Sequence, residues 1–203
     1  MTLVALSASY GAGGSLVGPA VAARLGVPFV DRVIPLGVAD RLQVPFDDAV
    51  AHDDQVNTGW LERVLSGFVG SDTSVPSPLP ADTFSAEDFQ RATEEVLLQQ
   101  AQTGEGVILG RGAVALLRDR ADVLRVRLDG PIEGRVRQAM QLDRSLDAER
   151  AERMLRQFDR AHAGYLKQFY GVDIRDCGLY QLVLDSTAIE LEACVEIIAR
   201  AAR

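Results

Sequence analysis

Between Ala8 and Ser15 the chain reads ASYGAGGS, a glycine cluster set directly after a short apolar run and directly before an amphipathic one. Main-chain N–H groups in such a turn, at the start of a helix, can surround a phosphate. Against the phosphate-loop pattern GxxxxGK[ST], Gly13 and Ser15 match, while Ala8 stands at the first glycine and Gly14 at the lysine that would reach the β- and γ-phosphates. A sharp strand-to-helix turn also needs glycine for steric reasons alone, so phosphate binding and a structural turn both remain open from the loop itself. A dinucleotide site is the nearest rival, because Asp31 follows Gly11 by twenty residues, where a ribose-binding acid would stand. The fingerprint GxGxxG then needs glycine at Leu16, and the next available one is Gly18, so that reading fails.

The other candidate groups are charged. Arg153, Arg156 and Arg160, with Lys167 beyond them, fall near one stripe of a helical stretch, and arginine's fork suits an oxyanion. Glu149 and Glu152 lie within i,i+4 reach, so the same stripe can equally be a salt-bridged solvent face. Asp129 and Asp185 close strands where open α/β sheets bind ligands, and capping of the following turn is the favoured role for each. His52 and His162 have no second ligand at i+4 and read as surface histidines. Cys177 and Cys194 lack CxxC spacing, which supports neither a zinc site nor a disulfide framework and leaves reduced thiols in or near the core. Trp60, Phe68 and Tyr180 read as core aromatics.

These groups need a scaffold, and the hydrophobic periodicity supplies one. TLVALSAS, VPFVD, GVILG, DVLRVRLDG and YQLVLD read as five strands, alternating with helical stretches. The first helix carries Leu16, Ala20 and Ala23 and stops at Gly26; another opens at Pro131 with Ile132, Val136 and Met140 on one face. A long helix from about Asp147 to Tyr170 buries Met154, Leu155, Phe158 and Tyr165, and a last one, capped by Thr187 and Glu190, turns Leu191, Val195, Ile198 and Ala202 inward. VIPLGVADRL is a poorer helix, Val44 to Thr83 reads as a mobile loop or lid edge around one amphipathic piece, and Ser85 with Asp88 starts a helix running to about Gln102. The expected fold class is α/β, one domain over 1–203, with a five-stranded parallel sheet covered by helices on both faces.

Composition narrows the partners. The 203 residues carry a formal net charge of −8, which disfavours a nucleic-acid polymer or an anionic membrane surface. Asp40 to Glu105 holds thirteen acids and three bases, whereas the basic chemistry gathers after Arg111; twenty of the bases are Arg and the remaining one is Lys167. No run approaches the roughly 18 apolar residues of a membrane span, and Met1 to Ser9 lacks a signal-peptide pattern, so the expected location is cytoplasmic. The sequence specifies no oligomeric state.

SYGAGGS, GVPFVDRVI, GVILGRGA, LRVRLDGPIEGRVRQAM, FDRAHAGYLKQFYG and LVLDST occur in the order seen in cytidylate kinases. The chain most resembles the cytidylate-kinase-like branch. That resemblance implies a P-loop nucleoside monophosphate kinase fold, with ATP as donor, Mg2+, and CMP or dCMP as acceptor. Carried over, Gly11, Ala12, Gly13, Gly14 and Ser15 would hold the donor phosphates, with the Ser15 hydroxyl on Mg2+. Asp31 and Arg111 would contact the acceptor nucleotide, and Arg156 and Arg160 would neutralise charge on the transferred group from a lid at about 147–170. An acceptor-side helical insertion would span about 44–102. The family arginine six residues after the acid is here Gly37, which Arg41 can replace; the aspartates that flank the acceptor arginine in DGRD are here Leu109 and Gly112. The expected activity is ATP-dependent phosphoryl transfer to a nucleoside monophosphate, and the alternative is a weak or inactive nucleotide-binding, regulatory protein on a kinase fold.

Overall fold

All five expected strands form, and all of them run parallel. In the computed structural model, which describes residues 2–32, 94, 97–110 and 112–203, they are β1 (Thr2–Ala8), β2 (Phe29–Arg32), β3 (Glu105–Gly110), β4 (Val123–Asp129) and β5 (Leu182–Asp185). Their order is β2-β3-β1-β4-β5, so β1 lies at the centre and ends in the glycine loop. Register is continuous across the sheet, with Leu6 opposite Leu109 on one side and Val126 on the other. A ligand loop that leaves the middle strand of such a sheet sits at a topological switch point.

Alternation along β1 explains why both faces are covered. Val4 and Leu6 pack with Val107, Val126 and Leu128 against α1 (Gly14–Leu25) and, later in the chain, the C-terminal helix, through Val17, Val21, Val195 and Ile198. Leu3 and Ala5 turn to the opposite face, with Ile108, helical Leu97 and Ala101, and Val114 of α2 (Ala113–Leu116). Every second side chain of a buried parallel strand is thereby apolar on each face, as a near-continuous hydrophobic run requires.

The remaining helices are α3 (Ile132–Leu142), α4 (Ala148–Tyr170) and α5 (Leu191–Ala201). Asp147 caps α4 by accepting from the Arg150 amide at 2.7 Å, and Pro131 is the residue before α3, as the sequence predicts. Glu190 precedes α5 but makes no side-chain cap, and the Thr187 hydroxyl instead donates to Asp185. The face of α1 turned to the sheet is not the row of Leu16, Ala20 and Ala23: Val17, Gly18, Val21 and Ala22 are buried, whereas Leu16 is 49% exposed. Gly14 and Gly18 let the helix lie close to the sheet, which selects a face that a count of apolar letters misses. Arg41, His52, Trp60, Phe68, Arg111 and the insertion at 44–102, apart from 94 and 97–102, lie outside the described residues, and Asp31 and Arg32 are described as backbone alone. Helical residues 97–102 end where the sequence predicts. Among the described residues no helix is long and apolar enough to cross a membrane.

Candidate functional site

The glycine loop is held by its carbonyls. Ser9 O accepts from the Ala12 amide at 3.0 Å, Tyr10 O from Arg135 Nη1 at 3.2 Å, Gly11 O from Gln138 Nε2 at 3.0 Å, and Ala12 O from Ser186 Oγ at 2.8 Å. Gly13 O takes the Leu16 and Val17 amides and so begins α1. Five successive carbonyls are therefore satisfied by protein donors, while the amides of Gly13, Gly14 and Ser15 have no protein acceptor among the described residues. Unpaired first-turn amides with the positive end of a helix dipole form an anion cradle. Gly11 is needed for the close fit, because its φ is +77° and a Cβ there would lie 2.5 Å from Arg135 O. Ser15 is exposed at the first turn of α1, and Gly14 is buried beside it.

A chain of ion pairs runs behind the loop. Asp129 accepts from Arg127 Nη2 at 2.6 Å and Nε at 3.1 Å and lies 3.6 Å from Arg135 Nε. Arg135 continues to Asp159 of α4 with two bonds, at 3.1 and 2.9 Å, and Arg127 also reaches Ser9 Oγ and Ile174 O. Burial alone would raise the Asp129 carboxyl, but the Arg127 hydrogen bond and charge outweigh it and hold the group below the ordinary carboxylate range. Asp129 is thus an ion-pair centre and not the expected cap. Asp185 does cap its turn, accepting from the Thr187 amide at 3.0 Å and hydroxyl at 2.7 Å, which keep its carboxyl low.

The predicted lid helix sits on this framework. Tyr10 of the loop stacks on Phe158 at 4.8 Å, and its hydroxyl donates to Met154 Sδ at 3.9 Å. Arg156 is paired with Glu152 at 2.6 Å and Arg153 with Glu149 at 2.5 Å, the i,i+4 ion pairs that a salt-bridged face predicts. Arg160 is exposed and has no ion pair among the described residues. Lys167 is exposed in the last turn. His162, expected at the surface, is 4% exposed, because it follows the inward row of Leu155 and Tyr165. Cys194 is buried and free as expected, while Cys177 is free but exposed.

Over residues 3–188 the sequence matches the cytidylate kinase-like family. The chain belongs to that family. It is 24% identical over 157 residues to the cytidylate kinase of Methanosarcina mazei, covering 62% of this chain and 87% of that protein. It is 26% identical over 140 residues to the cytidylate kinase of Methanopyrus kandleri, covering 63% and 72%. Among solved structures it resembles an uncharacterized protein of Eubacterium ventriosum, with a TM-score of 0.66 at 15% identity over 100% of this chain and 98% of that one. Shikimate kinase from Bacteroides thetaiotaomicron superposes with a TM-score of 0.50 at 15% identity over 98% and 97%, which supports the P-loop kinase fold.

At the β2 edge of the sheet in this cytidylate-kinase-like chain, β2 and β3 run in register with Asp31 opposite Leu109 and Arg32 opposite Gly110, so Asp31 lies beside the segment that leads into Arg111. Gly112, at the position of the second aspartate in DGRD, has its side-chain space closed: a Cβ there would lie 2.9 Å from Tyr170 Oη. Burial, and then the neighbouring Tyr165, push the Tyr170 phenol far above its ordinary value, so it remains a neutral hydroxyl. Sequence reading missed Arg127, Arg135, Gln138 and Ser186, which build the loop. A signal was present in LRVRLD, where arginine recurs in a strand otherwise apolar enough for the sheet interior.

Proposed function

We propose that this protein transfers a phosphoryl group from ATP to a nucleoside monophosphate in the presence of Mg2+, with CMP or dCMP as acceptor. One observation carries the reading: five loop carbonyls are tied to protein donors, leaving the Gly13, Gly14 and Ser15 amides for an anion. The loop contacts the helix that bears Arg156 and Arg160 through Tyr10 and Phe158. Membership of the cytidylate kinase-like family supports the acceptor class, and both curated relatives named above are cytidylate kinases.

Gly11 to Ser15 would hold the donor phosphates through main-chain amides. Among the described residues no three His, Cys, Asp or Glu side chains gather into a metal site, which fits a cation held chiefly by nucleotide phosphates with the Ser15 hydroxyl as the protein ligand. Bound there, Mg2+ would neutralise charge on the donor oxygens. Arg111 would grip the acceptor phosphate with its fork, with Asp31 and Arg41 toward the nucleoside. Arg160 would approach the transferred group, and Arg156 would join it after release from Glu152. A phosphate monoester is already ionised, so attack on the γ-phosphoryl group needs no general base; positioning and charge neutralisation carry the step.

The test is ADP release from ATP and Mg2+ with CMP, dCMP, UMP, AMP and GMP in turn, alongside ligand-induced melting shifts. Turnover with CMP or dCMP is expected, and Arg111→Ala should weaken acceptor binding more than ATP binding. Binding without turnover would instead favour the second reading, a nucleotide-binding regulatory protein, for which the glycine at position 14 is the motivating observation.

A further inference from the structure

We infer that Ala8 fixes the glycine loop as a lysine-free phosphate site: with Leu109 it closes the space that a side chain at position 14 would need. The inference rests on the loop being the phosphate site proposed above. A Cβ built on Gly14 would lie 2.4 Å from Ala8 Cβ, 3.4 Å from Leu109 Cδ1 and 3.9 Å from Ala8 Cα. Non-bonded carbons rest about 3.5–4.0 Å apart, so the first contact is an overlap, and a methyl group has no rotamer by which to withdraw.

Neither backbone is free to give. Ala8 is registered against Leu128 of β4, and the next amide, Ser9 N, donates to Leu128 O at 3.1 Å. Gly14 begins α1, whose Val17, Gly18 and Val21 are buried on the sheet. The two departures from GxxxxGK[ST] are therefore one exchange. The pattern places glycine at the first position and a side chain at the seventh; this chain has the methyl at Ala8 and the hydrogen at Gly14. A phosphate in the loop would be met by main-chain amides and the Ser15 hydroxyl, with side-chain charge arriving from α4. Ala8 is in this sense a specificity-determining residue for how the site carries charge.

The experiment is a double-mutant cycle on the whole protein with Ala8→Gly, Gly14→Lys and the two combined, read by thermal melting and by titration with tripolyphosphate and with ATP and Mg2+. Gly14→Lys is expected to melt roughly 5 °C or more below the parent, with the double variant regaining most of that loss. The double variant should also bind tripolyphosphate on the order of tenfold more tightly than the parent, with a steeper salt dependence, since one cation has been added. The pair Gly14→Ala and Ala8→Gly/Gly14→Ala puts the same packing question without a charge, and serves if Gly14→Lys fails to fold. Equal melting of Gly14→Ala with the parent, or no recovery in either double variant, overturns the inference. Recovery in melting with no binding of either ligand by parent or double variant leaves the steric role of Ala8 supported and removes the phosphate reading instead.

Discussion

The glycine loop has two unlike flanks. Against Gly14 the wall is Ala8 and Leu109, apolar and tightly packed. Against Tyr10 and Gly11 it is Arg135 and Gln138, and behind them Arg127, Asp129 and Asp159. A buried arginine near a glycine loop invites assignment as a ligand, yet Arg127 of β4 and Arg135 of α3 are both engaged by carboxylates and carbonyls. Arg127 answers Asp129, and Arg135 answers Asp129 and Asp159 while also holding Tyr10 O and Gly130 O. One flank excludes a cation by volume, and the other contains cations that are already neutralised. Among the described residues, charge open to a ligand remains on the loop amides and on cations that no carboxylate shares, Arg160 of α4 among them. On the function proposed above, what sets a cation aside for structure is a carboxylate that shares it, and not its distance from the loop.

The largest effect should come from breaking the ionic flank. Arg135 is 5% exposed, so Arg135→Ala takes the donor from Asp159 and from the Tyr10 and Gly130 carbonyls at once and leaves Asp129 with Arg127 alone, and a loss of about 3 kcal/mol is expected in urea unfolding. Asp159→Asn removes a partner whose side chain is 35% exposed, and should cost less. If the two variants were equally mild, the hub would not be what holds the loop. Gly11→Ala comes next, at about 2–3 kcal/mol, because a left-handed φ and the 2.5 Å approach to Arg135 O both oppose a methyl. Denaturation midpoints of these variants rank the ionic seat against the steric one.

The ionic flank is also where sequence reading was least informative. The strands, the start of α3 after Pro131 and the α4 boundaries were legible, because each depends on local periodicity or on the backbone geometry of one residue. The loop was legible as glycine-rich. What held it was not, since Arg135 and Ser186 reach it from 125 and 174 residues away. Asp129 illustrates the reason: a carboxylate at a strand end, just before a helix, has the letters of a cap, yet it pairs with Arg127 of its own strand and lies 3.6 Å from Arg135 of α3. The inner face of α1 was not legible for a related cause, since counting apolar letters gives no weight to the glycines through which a helix approaches a sheet. The exchange between Ala8 and Gly14 was visible as two mismatches to a pattern, but their coupling is a distance and needed coordinates.

Smaller effects test the loop's remaining tie and its pH response. Ser186→Ala should cost about 1–2 kcal/mol, as Ala12 O loses a buried donor at 2.8 Å. Asp129 is depressed below the ordinary carboxylate value, so its contribution is complete above the unfolded value of about 3.9 and is lost as pH falls through the lower folded value. Asp129→Asn should therefore be less stable than the parent at neutral pH, with the gap closing in acid. A gap that stayed constant down to strong acid would show that the pair with Arg127 contributes little through charge.

The smallest stability effects belong to α4, where the contrast moves from folding to chemistry. Glu152 and Arg156 form an i,i+4 pair with side chains 46% and 52% exposed, worth about 0.3–0.5 kcal/mol, and Arg160 has no such pair among the described residues. Arg156→Ala and Arg160→Ala should each leave the unfolding midpoint almost unchanged. Their effects on phosphoryl transfer should differ, because Arg160 is available at once while Arg156 must first leave Glu152. Arg160→Ala should lower kcat by the larger factor, on the order of 10²-fold or more if it meets charge that develops in transfer. Glu152→Gln provides the control, since freeing Arg156 should raise kcat slightly in the parent and partly restore it in Arg160→Ala. Equal losses from the two arginines, with no response to Glu152→Gln, would mean that a carboxylate partner does not set which cations on this helix serve the ligand.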